Sequence, residues 1–518
     1  MNPEVFTLLN GRVLPRCQEI EIASSLQIPV FQIIGLPGPE VAEAKDRIRA
    51  AIEASGFEFP RRKIIVNLSP ASVRKEGTGL DLAMAIALYL EGERIAGRSP
   101  PSVSNRIFAW GELGLDGRVK PVRSPARALA AAVTGRAELI LVAKSDEARF
   151  LETARTLFPE VKFPPLVGLD HFRELPQALA ESRSAEHDPP RPETTTDSDS
   201  DTDSVSESLS SPRSHLLPIA RTTAELLQIA AAGAHHFLLL GPKGVGKSLA
   251  LEWFLALQPA PDPETIRTRR YLAEISGRDE EAPVRRIGTQ VKAAALQGSF
   301  AGGALRPGEF SLAHGGVLLA DEFPEWSRDA REALREPLER RRVSLTRVDG
   351  VLELPADFVF AGNGNLCPCG GQSTAPDSPT TTPCRCLPTE RARYLARLSG
   401  PILDRLDLVV ELRSGIANDP ARRATYSDIA PPVARARRRL VLRYGLPPGK
   451  LPPERLEEIL DGAPGLRERL DAIPFRSFRD RHKTLRIALT LAALRDREEP
   501  DLDILREARA LRIEAGRA

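Results

Sequence analysis

Four consecutive apolar residues, Phe237 to Leu240, run straight into Gly241-Pro242-Lys243-Gly244-Val245-Gly246-Lys247-Ser248. This fits the pattern G-x-x-x-x-G-K-[S/T] in full, and the helix-forming stretch LALEWFLAL follows at once. The order is strand, glycine-rich turn, helix. Glycines let the backbone aim its N–H groups at phosphate oxygens, and the helix N-terminus adds partial positive charge. Lys247 is expected to reach the β- and γ-phosphates of ATP, and Ser248 to hold Mg²⁺. Gly241, Pro242, Lys243, Gly244, Val245 and Gly246 complete the cradle.

Further along, Gly315-Gly316-Val317-Leu318-Leu319-Ala320 ends in Asp321-Glu322. An apolar strand ending in two carboxylates is the expected partner of a phosphate loop. It places both at the C-terminal edge of a sheet, beside the bound phosphates. Asp321 would hold Mg²⁺ and Glu322 would polarise the attacking water. A third apolar run, Phe358 to Ala361, leads to Gly362-Asn363-Gly364-Asn365. Spacing alone leaves either asparagine as a γ-phosphate sensor, and Asn-Gly is also ordinary turn chemistry. Helical patterns lie between these strands, the sequence form of an α/β parallel sheet with crossover helices over residues 216–412. From Ala421 onward the pattern is helical, as in Arg481 to Arg495, and residues 413–518 are expected to form a helical lid.

Residues 182–215 read SRSAEHDPPRPETTTDSDSDTDSVSESLSSPRSH. Almost nothing there is large and apolar, so burial cannot offset ordering, and a disordered linker is expected. Its acidic part carries a net −7 against +2 for the whole chain, which leaves the remainder at +9. A mildly basic body permits a polyanionic partner without requiring one. Residues 1–181 mix both periodicities: Phe31 to Ile34, Lys63 to Asn67 and Leu139 to Val142 read as strands, and Glu40 to Ser55 as a helix. No apolar run approaches the ~18 residues that span a bilayer. No secretory leader is read at MNPEVFTLLNGRV, so a cytoplasmic protein is expected. Four of the five cysteines, Cys367, Cys369, Cys384 and Cys386, fall within twenty residues. Two pairs of thiolates at the ends of a Pro/Thr/Ser-rich loop suit a structural Zn²⁺. Reduced thiols in a loose loop are the plain alternative.

The runs Gly308-Glu309-Phe310-Ser311-Leu312-Ala313-His314-Gly315-Gly316, Glu332-Ala333-Leu334-Arg335-Glu336-Pro337-Leu338-Glu339, Cys367-Pro368-Cys369-Gly370 and Leu398-Ser399-Gly400-Pro401-Ile402-Leu403-Asp404-Arg405-Leu406-Asp407, in this order, resemble those of magnesium-chelatase-like AAA+ ATPases. The N-terminal part is similar to the YifB/ComM branch, through Phe31-Gln32-Ile33-Ile34-Gly35-Leu36-Pro37, Ala50 to Pro60 and Arg74-Lys75-Glu76-Gly77-Thr78-Gly79-Leu80-Asp81-Leu82.

The resemblance implies an α+β Lon-protease-like domain, a P-loop AAA+ core and a helical lid. It implies a hexameric ring that hydrolyses ATP between subunits. Some members resemble DNA helicases that drive branch migration during DNA uptake and recombination. By motif matching Asn365 falls on the sensor-1 position, ahead of Asn363. Arg405 falls on the arginine finger, and Arg479 near sensor 2 at the nucleotide. Proteolysis is not expected: Gly79 stands where Lon-type proteases place the nucleophilic serine, and Pro125-Ala126-Arg127 where the lysine is expected. The hairpin-like Arg340 to Leu354 would face a central channel and meet DNA phosphates, although a solvated basic turn reads equally well; the loop from Gly298 to Gly308 is a second such element. Two departures stand out. No histidine pair occupies Ala282 to Gln290, and Leu217 to Thr223 replaces an acidic, glycine-containing segment. The expectation is a ring-shaped DNA translocase or helicase. The rivals are a chelatase motor for metal insertion and a nucleotide-dependent scaffold with low turnover.

Overall fold

The computed structural model describes residues 3–9, 15–69, 78–98, 106–181, 217–277, 283–301, 304–347, 350–371, 383–412 and 423–513. The expected linker 182–215, the run Arg74 to Gly77 and the loop 372–382 between the cysteine pairs lie outside these residues. The chain divides into two compact units.

The first unit is built on a seven-stranded mixed sheet. Its strands are β1 (Glu4–Leu8), β2 (Cys17–Ser25), β3 (Val30–Ile34), β4 (Lys63–Leu68), β5 (Arg106–Trp110), β6 (Leu139–Ala143) and β7 (Leu166–Leu169), in the order β3-β4-β2-β1-β5-β6-β7. β2 runs antiparallel to β1 and β4, and the remaining neighbours are parallel. Helix α1 (Pro39–Ala54) starts on a proline, which suits a first turn whose N–H groups lack partners. Helix α2 (Asp81–Ile95) is buried from Asp81 to Glu91. A helix apolar all round belongs inside a domain, and here it fills the core beside Ile48, Ile64 and Leu141.

Gly79 and Arg127, the residues standing where a nucleophile and a lysine would be sought, are both closely packed. A Cβ built on Gly79 would lie 2.6 Å from the Trp110 ring, so any side chain there meets indole. Helix α3 (Pro125–Thr134) carries Arg127, which is buried. The Ala126 and Arg127 amides at the α3 N-terminus donate to Glu274 at 3.0 and 3.2 Å.

Glu274 lies on α4 (Pro263–Ile275), which groups with the first unit although it falls within residues 216–412 of the sequence. Residues 262–277 and 304–307 pack with the first unit. The reason is local: Glu274 caps α3, Tyr271 enters the apolar cluster of Phe108 and Phe150, and Arg267 pairs with Glu160 at 2.6 Å.

The second unit holds a five-stranded parallel sheet. Its strands are β8 (Phe237–Leu240), β9 (Val284–Ile287), β10 (Val317–Ala320), β11 (Val359–Gly364) and β12 (Leu408–Glu411), in the order β9-β10-β11-β8-β12. β8, β10 and β11 are wholly buried, as continuous apolar strands in a sheet covered on both faces must be. The helical segment is not a separate body. Ile429 and Leu440 of α5 (Tyr426–Tyr444), Leu485 of α6 (Phe478–Leu494) and Leu505 of α7 (Leu502–Ile513) share one core with Phe237 and Trp253. A short bridge, Arg423–Ala424 against Ile219–Ala220, adds to the union. Among the described residues no helix is long and apolar enough to cross a membrane.

Candidate active site

Strand register brings the motifs together. Leu240 pairs with Gly364, and Ala320 with Gly362. The residues that follow these strand ends, Gly241, Asp321 and Asn365, therefore leave the sheet at one edge. β11 lies between the strand of the phosphate loop and the strand of the carboxylates, so its asparagines can touch both sides.

The phosphate loop needs its glycines for different reasons. Gly244 and Gly246 have φ of +78° and +92°, in the left-handed region that glycine enters without penalty. A Cβ on Gly241 would lie 2.7 Å from the Leu412 carbonyl oxygen. Gly246 caps the helix Lys247–Ala256, which presents its free N–H groups to the loop. Ser248, in its first turn, is exposed.

The Lys247 ammonium donates to the carbonyl oxygens of Gly241 and Pro242 at 2.7 and 2.8 Å, and to Asn365 Oδ1 at 3.2 Å. Burial pulls its pKa down to about 8, against the opposing charge of Glu322. Asn363 plays another part. Its Nδ2 donates to Asp321 Oδ1 at 2.9 Å, and its Oδ1 accepts from the Glu322 backbone N–H at 2.8 Å. Glu322 itself has φ +47° and ψ +46°. A non-glycine residue held there costs about 1 kcal/mol and persists only where its surroundings impose it. Trp326 Nε1 donates to the Asp321 carbonyl at 3.1 Å and steadies the same turn.

Spacing left Asn363 and Asn365 as alternatives; the structure gives each its own contact. Asn365 reaches the lysine, and Asn363 joins the two carboxylate residues. Arg405 and Arg479 meet elsewhere, on one carboxylate. Arg405 Nη2 pairs with Glu339 Oε2, and Arg479 Nη2 with Glu339 Oε1 at 2.7 Å. Burial pushes the Glu339 carboxyl up, but the Arg405 hydrogen bond and the charges of Arg405, Arg479 and Arg340 hold it below the ordinary range. In the sequence Glu339 only closes the run Glu332 to Glu339, with no spacing that marks it as a hub.

The donor set fits ATP with magnesium: free amides at a helix mouth, a half-buried lysine, an exposed serine and a strand-end carboxylate.

A cysteine knuckle abuts the phosphate loop. Cys367 Sγ lies 3.3 Å from Cys369 Sγ and 3.4 Å from Cys384 Sγ, and Cys369 lies 3.6 Å from Cys384. With Cys386, all four sulfurs lie within 4.8 Å of one another. The backbone N–H groups of Arg385 and Gly371 stabilise the Cys369 thiolate and bring its pKa down to about 6, while burial and the neighbouring thiols push Cys367 up to about 12.

The expected basic hairpin is present, with Arg342–Arg347 antiparallel to Gly350–Pro355. Part of its charge is engaged: Arg342 pairs with Glu353 at 2.9 Å, and Arg341 donates to the Lys450 carbonyl. Val343 and Leu354 bury one face. The second loop forms a two-stranded ribbon, Gly298–Ala301 with Ala304–Pro307.

Comparison with known proteins agrees with this geometry. Residues 220–419 match the family model of magnesium chelatase, subunit ChlI, and residues 20–146 match a second model of the same subunit. YifB of Escherichia coli K12 is 32% identical over 401 residues, covering 76% of this chain and 72% of that protein. Rv2897c of Mycobacterium tuberculosis H37Rv is 32% identical over 527 residues, covering 97% and 96%. The competence protein ComM of Haemophilus influenzae is 30% identical over 401 residues, covering 76% and 73%.

Proposed function

This chain belongs to the YifB/ComM family of magnesium-chelatase-like AAA+ ATPases, and on that premise we propose that it is a cytoplasmic, ring-forming ATP-driven DNA translocase or helicase serving DNA uptake or recombination. The observation that carries hydrolysis is the double contact of Asn363, which fixes the water-activating Glu322 beside the magnesium-binding Asp321. In this reading the loop amides and Lys247 bind the β- and γ-phosphates. Asp321 and Ser248 would hold Mg²⁺, which would supply charge neutralisation for the phosphates. Glu322 takes a proton from the water that attacks the γ-phosphorus, and the bond to the β–γ bridging oxygen breaks toward ADP. Arg405 reaches the γ-phosphate of a neighbouring subunit, exchanging its pairing with Glu339 for that contact on assembly. Cys367, Cys369, Cys384 and Cys386 would hold a structural Zn²⁺ through their thiolates, since all four sulfurs lie within 4.8 Å of one another.

The DNA reading draws on the competence protein among the relatives, on the +9 charge outside the acidic stretch and on the paired hairpins. The chelatase description of the matching models favours a second reading, a motor that drives metal insertion. ATP turnover with and without single-stranded and forked DNA, alongside oligomer mass, separates the two. DNA stimulation of the wild type, absent in Glu322→Gln, supports the translocase. Turnover indifferent to every DNA removes that reading and leaves the ATPase standing.

A further inference from the structure

The cysteine knuckle and the phosphate loop touch through one peptide. The Lys243 backbone N–H donates to the Gly370 carbonyl oxygen at 2.9 Å. Gly370 directly follows Cys369, and its own N–H donates to the Cys367 carbonyl at 3.1 Å, closing a tight turn. Gly370 has φ +70°, and a Cβ there would lie 2.8 to 3.0 Å from the Lys243 side-chain carbons. The lysine stem therefore lies across bare backbone. The next residue does the same on the other side: a Cβ on Gly371 would lie 2.8 Å from Cys384 Cα and from the Pro383 carbonyl oxygen. One glycine admits the phosphate loop, and its neighbour admits the second pair of cysteines. The Gly371 N–H also donates to Cys369 Sγ at 3.4 Å. A chain of direct contacts thus runs from Cys384 through Gly371 and Gly370 to Lys243.

The loop has one other tie of this kind, from the Gly241 N–H to the Gly364 carbonyl at 3.2 Å, and that one is anchored in the sheet. The Gly370 tie is not. Its turn projects beyond β11, with Pro368 and Cys369 exposed and Cys367 buried. Its tip is held by the two glycine contacts and by the four clustered sulfurs, which a bound cation would join into one unit.

We propose that the knuckle is a metal-dependent brace of the nucleotide site: an ion held by Cys367, Cys369, Cys384 and Cys386 fixes Gly370, whose carbonyl holds Lys243 and keeps the phosphate loop shaped for the triphosphate. This rests on the zinc and ATP assignments above and adds a role for the ion in nucleotide affinity. Gly370 and the cysteines are positioning residues, since none of them needs to touch ATP.

The test uses the full chain in a Glu322→Gln background, which separates binding from turnover. Zinc content is measured by elemental analysis, and affinity for a fluorescent ATP analogue with magnesium present. Expected is one zinc per chain. Its removal by a zinc-selective chelator, or by Cys369→Ser with Cys384→Ser, weakens the analogue about three- to tenfold, the scale of one lost hydrogen bond. Added zinc restores the stripped wild type. Gly370→Ala keeps its zinc and shows the same weakening, so the result does not depend on a variant that loses the knuckle. Unchanged affinity after zinc removal and in Gly370→Ala overturns the brace and leaves the metal site standing. A chain that binds ATP yet carries no zinc and gains none overturns the metal assignment and the brace together. A chain that carries zinc and binds no nucleotide overturns the ATP assignment instead, and the brace with it.

Discussion

Asn363 holds Glu322 by its backbone rather than by its carboxylate: Oδ1 of the asparagine accepts from the glutamate N–H at 2.8 Å, at a residue with φ +47°. The amide of Asn363 thereby sets the backbone from which the Glu322 side chain projects. Its other end orients Asp321. In Asn363→Ala, ATP turnover is expected to fall about 10- to 100-fold, as the loss of two hydrogen bonds of about 1–1.5 kcal/mol each implies. Affinity should change less than threefold, because no phosphate contact is removed. Steady-state turnover and nucleotide binding check this; wild-type turnover in the variant contradicts it.

Burial lowers the Lys247 pKa from the ordinary 10.5 to about 8. Above that pH Lys247 is largely neutral, whereas a triphosphate favours its ammonium form. Binding therefore takes up a proton, and affinity should fall as pH rises from about 8 toward 10, by at most about tenfold per unit. Lys247→Arg should flatten this slope, because guanidinium stays charged. Titration of the nucleotide at several pH values reads the effect. An affinity constant across that window would place the proton elsewhere.

Arg405 and Arg479 share Glu339, a contact within one chain. If Arg405 acts on a neighbour's nucleotide, Arg405→Ala should bind ATP normally and lose about 10³-fold in turnover. Mixing it with the equally inactive Lys247→Ala chain should restore activity. In a mixed ring some sites pair an intact loop with an intact finger. Failure of the mixture to exceed either parent, with assembly confirmed by mass, rules out action between subunits.

Glu274 is buried and accepts from two amides at the α3 N-terminus. Glu274→Ala should destabilise the first unit by about 1–3 kcal/mol, as unpaired buried donors and a lost cap imply. Gly79→Ser should also lower the melting temperature, since the side chain meets Trp110 at 2.6 Å, and should yield no peptidase activity. Thermal melts and a peptide-cleavage assay decide both.

Much of the site was legible because its elements are local. A phosphate loop is eight successive residues between an apolar strand and a helix, and its glycines are dictated by backbone angles that follow from those residues alone. The same holds for the strand ending in Asp321-Glu322 and for the clustered cysteines. Residues 1–181 showed strands and helices for the same reason, since periodicity is written along the chain.

What the chain order could not show is which distant residues meet. Spacing alone left Asn363 and Asn365 even, and the family resemblance only favoured Asn365; with β11 between β8 and β10, Asn363 reaches Asp321 and Glu322 while Asn365 reaches Lys247. Arg405, Arg479 and Glu339 are far apart in sequence and converge only through folding, as Glu274 does with α3 and Gly370 with Lys243. Composition and spacing determine local conformation and the chemistry available; strand order and long-range packing decide which donors and acceptors share a site.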